Sequence, residues 1–182
     1  RYAVGFVGLI FCHEKGHFLA ARQRGLDDGA PTFIPFVGAW IQLKEQPMDV
    51  ETEAYVAMAG PVVGTIAAMG CFYAADFLQS PLLRALAYAG FMLNLFNLIP
   101  LAPLDGGRIT SIIFWNHSPM LLLLALLSIP HLLSTFRQNG SMMSERYYDV
   151  SPSTRWSYAT YYLLLAGFLG VMTYATHRAV GL

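Results

Sequence analysis

The segment His13-Glu14-Lys15-Gly16-His17 contains the residue types that bind and use a catalytic metal ion. In a helix the two histidines lie one turn apart on the same face, so both imidazoles can reach one ion. Glu14 is rotated by about 100° from His13, beside the metal's open position, where a carboxylate can take a proton from bound water. The alternative is a helix end with interfacial histidines. Ionisable side chains inside an apolar membrane segment are energetically costly, however, and this favours a functional role.

A zinc ion held by two histidines usually takes a carboxylate as its third ligand. Of the 11 acidic residues, Asp105 alone lies directly against an apolar helix end on the same side as the histidine motif. Pro100 and Pro103 are expected to end or kink the preceding helix, and Gly106 and Gly107 permit a tight turn next to a metal. A turn or N-cap aspartate followed by glycine fits these residues equally well. The residues alone therefore leave both roles open for Asp105.

The composition indicates a membrane protein. Of the 182 residues, 55% are apolar and 12% are charged, whereas soluble domains carry roughly 25% charged residues. The 11 basic and 11 acidic residues cancel, so no basic surface is available for nucleic acid, and a soluble metalloprotease is excluded. Four or five helices of about 20 apolar residues each account for most of the chain. The predicted fold is an all-α, multipass integral membrane protein.

Five apolar segments are predicted to span the membrane, at residues 2–21, 54–79, 82–101, 119–136 and 156–176. The segment 119–136 contains Pro130 and His131 and could instead be re-entrant. The first span is expected to begin upstream of Arg1, because the sequence enters directly into an apolar run.

The connections between the spans differ in character. Residues 32–46 are rich in β-branched and aromatic residues and predict a small β-hairpin, whereas residues 137–155 predict a polar loop. Lysine and arginine are enriched on the connections 22–53 and 105–118, which places both connections in the cytoplasm. The histidine motif and Asp105 are therefore expected on the cytoplasmic side.

Together these motifs resemble the site-2 protease family of intramembrane zinc metalloproteases, peptidase family M50. The resemblance covers roughly residues 5–110 and rests on the histidine motif, on Asn97-x-x-Pro100-x-x-x-x-Asp105-Gly106 and on Ala59-Gly60-Pro61. It implies one Zn2+ per chain and a role for each of five residues: His13, His17 and Asp105 as zinc ligands, Glu14 as general base, and Asn97 as a polar group near the scissile carbonyl.

The resemblance also implies an architecture. A catalytic membrane core of three helices would occupy residues 1–110, comprising the helix of the histidine motif, the hairpin 32–46, the helices 54–79 and 82–101, and a loop carrying Asp105. Residues 111–182 would form C-terminal membrane helices together with the polar loop 137–155. Within these 182 residues we expect neither the PDZ nor the CBS domain of many family members, and we expect no helix before the one that carries the histidine motif.

The leading hypothesis is an intramembrane zinc endopeptidase that hydrolyses a peptide bond in or near a transmembrane segment of a membrane protein. Expected partners are that substrate, membrane lipid and a regulatory membrane partner of unknown identity, with no nucleic acid. The alternative is a metal-binding multipass transporter or a non-proteolytic scaffold of the same fold. The retained Glu14 favours the protease, because metal binding alone does not require it.

Three further features predict packing rather than chemistry. Asn94 shares a helix face with Asn97, and a polar amide there can join two helices by a hydrogen bond. Gly60 and Gly64 lie four residues apart and permit close helix approach. Cys12 adjoins the histidine motif but faces away from the two imidazoles, which indicates a packed thiol.

Overall fold

The computed structural model describes residues 1–26, 32–34, 38–40, 49–101, 103–114 and 147–180 of the chain. These residues form five α-helices and one two-stranded antiparallel sheet. The helices are α1 (Tyr2–Gln23), α2 (Val50–Phe77), α3 (Pro81–Asn97), α4 (Asp105–Phe114) and α5 (Pro152–Val180). The strands are β1 (Thr32–Ile34) and β2 (Gly38–Trp40), and they pair with Thr32 opposite Trp40.

The prediction of a helical architecture is confirmed. Helices α1, α2, α3 and α5 lie where four of the five apolar segments are predicted. The segment 119–136 and most of the loop 137–155 lie outside the described residues, so the number of membrane spans stays a prediction. The hairpin over 32–46 also stays a prediction, since only the three residues of each strand are described within it.

Two predicted features near the end of the third apolar segment are wrong. The helix predicted over 82–101 ends at Asn97, because Pro100 lacks an N–H and disfavours the helical conformation of the residue before it. Asp105 does not lie in a loop but is the first residue of α4. Gly106 accordingly belongs to the first turn of that helix and does not form a tight turn.

Local sequence signals set the end of α1 and the start of α2. The backbone N–H of Leu26 bonds to the Ala21 carbonyl at 3.1 Å around Gly25, whose φ is +73°. Glycine adopts this left-handed conformation without steric cost, which makes it a common residue after a helix end. Asp49 caps α2, because its carboxylate accepts from the Thr52 backbone N–H at 2.7 Å.

Helix α2 lies at the centre of the bundle. It packs chiefly against α1, α3 and α4, and α3 packs in turn against α5. The main core cluster combines small residues of α2 and α3 with larger apolar side chains: Ala57, Ala68, Ala87, Phe91, Leu98, Ile109 and Leu169. Small residues allow helix backbones to approach closely. Short side chains on neighbouring helices can therefore meet at the centre of this bundle.

Two of the described helices are long and apolar enough to cross a membrane, Val50–Phe77 and Pro152–Ala179. Helix α3 has 17 residues and is about 26 Å long at 1.5 Å per residue. Ion pairs lie near both ends of the bundle: Arg24 is 3.6 Å from Glu51 at one end, and Arg84 is 2.8 Å from Asp76 at the other. The described helices thus form an apolar body between two charged ends.

Candidate metal centre

Three side chains from two helices converge between α1 and α4. His13 and His17 lie one turn apart on α1, and Asp105 begins α4. The two Nε2 atoms are 3.1 Å apart, and Asp105 Oδ2 lies 3.2 Å from that of His13 and 3.3 Å from that of His17. Within the described part of the chain, this is the one group of three or more His, Cys, Asp or Glu side chains that could hold a metal ion.

The triangle formed by these three atoms has the size that zinc requires. Zinc–nitrogen and zinc–oxygen bonds of about 2.0–2.1 Å in a tetrahedral site place the ligand atoms about 3.3–3.4 Å apart. The observed separations of 3.1 to 3.3 Å are close to this value. Three protein ligands also leave the fourth position free for water. Two imidazoles and one carboxylate in this arrangement therefore fit a catalytic zinc ion.

Hydrogen bonds on the far side of each imidazole fix its tautomer. His17 Nδ1 lies 2.8 Å from the backbone carbonyl of Val56, which can only accept. His13 Nδ1 lies 2.8 Å from Asn94 Oδ1, and the amide of Asn94 is oriented by its Nδ2, which donates to the Gly90 carbonyl at 2.7 Å. Both Nδ1 atoms therefore carry the proton, and both Nε2 atoms present lone pairs.

Three electron-rich atoms thus face one another at the centre. Two imidazole lone pairs and a carboxylate oxygen repel one another when no proton or cation lies between them. A bound metal cation removes this repulsion and uses all three groups. The tautomers and the triangle of distances support the same conclusion from independent observations.

Asp105 supplies negative charge to the centre. Burial by itself raises the pKa of its carboxyl group. When His13 and His17 also carry a proton at Nε2, their hydrogen bonds and positive charges outweigh burial and hold the pKa of this carboxyl group at about 2. A carboxylate in the first turn of α4 also interacts favourably with the helix dipole. The side chain is therefore ionised at neutral pH and available to a cation.

Glycines on α2 leave the space that the centre occupies. A Cβ atom on Gly60 would overlap with His17 Nε2, and a Cβ atom on Gly64 would overlap with Asn94 Oδ1. Carbon atoms in favourable contact are about 3.5–4.0 Å apart, so neither position accepts a side chain unless the polar group moves. The predicted packing role of these glycines is therefore specific, because they accommodate a candidate ligand and the residue that orients the other.

Two more glycines let backbones meet beside the centre. A Cβ atom on Gly16 would overlap with the carbonyl oxygen of Ala59, which brings α1 against α2 between the two histidines. A Cβ atom on Gly106 would overlap with the carbonyl oxygen of Leu98, which brings the start of α4 against the end of α3. The position of Asp105 next to the histidines depends on this second contact.

Glu14 lies beside the centre on α1. Its side chain is half-buried and close enough to His13, His17 and Asp105 to interact with their charges. Lys15 is exposed, with its Nζ atom 5.5 Å from the centre of the Phe11 ring. The two neighbours in the motif therefore have different surroundings, and of these two only Glu14 lies close to the candidate ligands.

The structure connects Asn94 to a candidate ligand and places Asn97 differently. The Asn97 amide is half-buried and donates to the Leu93 carbonyl at 3.1 Å within its own helix, and its catalytic role stays a prediction. The sequence predicts only helix packing for Asn94 and misses its hydrogen bond to His13. An amide in an apolar helix is the available signal, but the face of α3 that meets α1 is set by tertiary packing.

Cys12 is a half-buried free thiol outside the group of candidate ligands.

Glu53 links three parts of the chain at the charged end next to the centre. The Tyr147 hydroxyl donates to Glu53 Oε2 at 2.6 Å, and Arg108 Nε lies 3.6 Å from Glu53 Oε1. Burial and the neighbouring Glu53 carboxylate raise the pKa of Tyr147 above its usual range. Tyr147 therefore remains a hydrogen-bond donor at neutral pH. Through these contacts the start of α2 is joined to α4 and to the segment before α5.

Fold and site together define a helical protein with a candidate metal centre of two histidines and one aspartate. The sequence profile of peptidase family M50 matches residues 1–84 and 78–123, which is more than half of the chain. The chain belongs to this family, and the prediction made from the histidine motif and the Asn97 to Gly106 segment is confirmed.

Proteins similar to this chain include the zinc metalloprotease MJ0392 from Methanocaldococcus jannaschii and the chloroplastic "probable zinc metalloprotease EGY1" from Arabidopsis thaliana. The first is 33% identical over 109 residues, which are 57% of this chain and 31% of that protein. The second is 34% identical over 83 residues, which are 43% of this chain and 15% of that protein. The chain thus spans less than a third of the length of these relatives. The family and the names of its members imply zinc as the metal.

Proposed function

We propose that the protein is an intramembrane zinc endopeptidase, which hydrolyses a peptide bond in or near a transmembrane segment of a membrane-protein substrate. The observation that carries this proposal is the convergence of His13, His17 and Asp105, with Glu14 beside them. Metal binding alone requires the first three residues. The additional carboxylate at the same centre favours hydrolysis over transport or a scaffold role.

Each residue of the site has a proposed task. His13, His17 and Asp105 hold the zinc ion, which when bound supplies a Lewis acid and lowers the pKa of its water from 15.7 to about 7. Glu14 accepts a proton from the attacking water and delivers it to the leaving amine. Asn97 is proposed as a polar group near the scissile carbonyl, as in the family that the motif resembles.

The proposed setting is a multipass membrane protein with its active site towards the cytoplasm. Two described helices, α2 and α5, have the length and composition of membrane spans. Together with α1, α3 and the segment 119–136 they would give a total of about five spans. His17 lies six residues before the end of α1 at Gln23, or about 9 Å along the helix axis. This depth below Arg22 and Arg24 is consistent with a site near the cytoplasmic face. Residues 1–110 would form the catalytic core and residues 111–182 the C-terminal part.

A strand of the sheet is proposed to hold the substrate. A helical substrate hides its peptide groups in internal hydrogen bonds, so the cleaved segment must first unwind. The strand β2 contacts α1, the helix of the histidine motif, and an unwound segment could extend the β1–β2 sheet by β-augmentation. Further proposed partners are membrane lipid and a regulatory membrane protein.

The experiment that tests the proposal compares Glu14→Gln with wild-type protein in zinc content and in cleavage of a single-span reporter substrate. General-base catalysis contributes about 100-fold or more, so the variant should keep its zinc and cleave at least about 100-fold more slowly. Lys15→Gln is the matched control, because Lys15 is exposed next to Glu14, and it should cleave at close to the wild-type rate. Equal cleavage by wild type and Glu14→Gln would refute the proposed mechanism, and a zinc-loaded wild type without any cleavage would support the transporter or scaffold.

A further inference from the structure

The two candidate histidine ligands are oriented by different kinds of partner. The orienting acceptor of His17 is the backbone carbonyl of Val56 on α2, which is present whatever side chain occupies that position. The orienting acceptor of His13 is the side-chain oxygen of Asn94 on α3. The tautomer of His13 therefore depends on the identity of one residue, 81 positions away in the sequence.

Asn94 is held in one orientation by its surroundings. Its side chain is 1% exposed, and its Nδ2 donates to the Gly90 carbonyl at 2.7 Å, so its Oδ1 must face His13. The space for this oxygen exists because residue 64 on α2 is glycine, where a Cβ atom would overlap with Oδ1. Three helices thus contribute to one hydrogen bond: α1 the imidazole, α3 the amide and α2 the space.

The Asn94 amide has two hydrogen-bond partners, the Gly90 carbonyl and His13 Nδ1. Its removal would leave only His13 without a partner for that atom. The Gly90 carbonyl also accepts the regular helical hydrogen bond from the backbone of residue 94, so it would keep a partner. His13 Nδ1–H, which is buried, would lose its acceptor, and a buried donor without a partner is unfavourable. The proton could then move to Nε2, where it would block the lone pair that a metal ion needs.

We propose that Asn94 is a positioning residue for the metal centre, which fixes the tautomer and the orientation of His13, and that Gly64 provides the space for it. This inference rests on the proposed zinc-binding function of His13, His17 and Asp105. It assigns to Asn94 a role in metal affinity rather than in the chemical step, and the role can be measured without any protease assay.

The test measures zinc affinity of the purified full chain by competition with a chelator, together with the absorption spectrum of the cobalt-substituted protein and the thermal unfolding midpoint. Loss of such outer hydrogen bonds typically lowers metal affinity by about 10–100-fold. Asn94→Leu should show a decrease of this size and an altered cobalt spectrum. Asn94→Asp, whose carboxylate can accept the same proton, should bind zinc within a few-fold of wild type. Gly64→Ala should lower the affinity in the same direction as Asn94→Leu, because it displaces the amide.

Two substitutions on α2 serve as matched controls. Thr65→Val removes a buried hydroxyl that donates to the Pro61 carbonyl of its own helix. Gly70→Ala adds a Cβ atom that would meet no described atom outside the helix backbone within 4 Å. Both should bind zinc like wild type. The proposal is overturned if Asn94→Leu and Gly64→Ala keep wild-type affinity, or if Asn94→Asp loses as much affinity as Asn94→Leu. If Asn94→Leu does not fold, the proposal is overturned when Gly64→Ala keeps wild-type affinity or when Asn94→Asp loses more than about tenfold. A wild-type protein that binds no zinc would instead refute the proposed function itself.

Discussion

Helices α2 and α5 are both long and apolar, but they use glycine in opposite ways. Gly60 and Gly64 on α2 are buried against polar groups of the candidate metal centre, and neither position has space for a Cβ atom. Among the described residues, no atom from outside the helix backbone lies within 4 Å of a Cβ atom placed on Gly167 or Gly170 of α5. Of the most apolar 18 residues of each helix, 39% are buried in α2 and 11% in α5.

This difference separates two functions of an apolar helix. The surface of α2 is used for contacts with α1, α3 and α4, and its small residues allow three helices to bring polar side chains together. Helix α5 instead leaves large side chains exposed within the described part of the chain, among them Trp156, Leu163 and Val171. Two helices of similar apolar composition can therefore differ in role. The burial of the small residues on α2 distinguishes the helix that contacts the candidate metal centre.

The strongest test of the comparison is a pair of glycine substitutions. Gly60→Ala places a methyl group on His17 Nε2, so the imidazole must move and zinc affinity should fall by more than about 100-fold, beyond the effect of losing an outer hydrogen bond. Gly167→Ala should leave zinc affinity unchanged and, because alanine favours helix more than glycine, raise stability by up to about 1 kcal/mol. Chelator competition and thermal unfolding measure both. Similar zinc affinities for the two variants would contradict the assignment of Gly60 to the centre.

A smaller effect is expected at the contact that joins α5 to the core. The Tyr162 hydroxyl donates to the Leu98 carbonyl at 2.6 Å, and Tyr162→Phe should reduce the free energy of unfolding by about 0.5–1.5 kcal/mol. Zinc affinity should remain within about two-fold of wild type, since the substitution keeps the contact between Gly106 and the Leu98 carbonyl and leaves the hydrogen bonds of the two histidines intact. A decrease in zinc affinity of more than tenfold would show that α5 is part of the scaffold of the centre, and the comparison would then fail.

The sequence predicts the residues of the candidate metal site better than the bounds and contacts of the helices that carry them. Local helical spacing predicts His13, Glu14 and His17, and the scarcity of acids together with the family motif predicts Asp105; the structure brings the two histidines and Asp105 together. The role of Asn94 depends on which face of α3 meets α1, and this is a property of the packed bundle. The first residues of α4 could not be recognised as helical because two glycines follow Asp105, and glycine disfavours helix unless a close contact requires it.

At the end of α3 the sequence predicts that the helix breaks but does not predict where. Pro100 and Pro103 correctly indicate that the chain changes direction before Asp105, because proline restricts the residue before it. They do not reveal that the helix stops three residues earlier than Pro100, at Asn97, nor that Gly106 then packs against the Leu98 carbonyl. Local signals thus predict a break, and the contact across the break decides its geometry.

The central claim is that His13, His17 and Asp105 hold a single zinc ion. X-ray absorption at the zinc edge of the purified protein tests it most directly, with Asp105→Ala measured alongside. The account predicts one zinc per chain, two imidazoles and only nitrogen or oxygen ligands at about 2.0–2.2 Å, and a lower zinc occupancy in Asp105→Ala. A sulfur ligand at about 2.3 Å, which would implicate Cys12 or Cys71, or an unchanged zinc occupancy in Asp105→Ala, would contradict it.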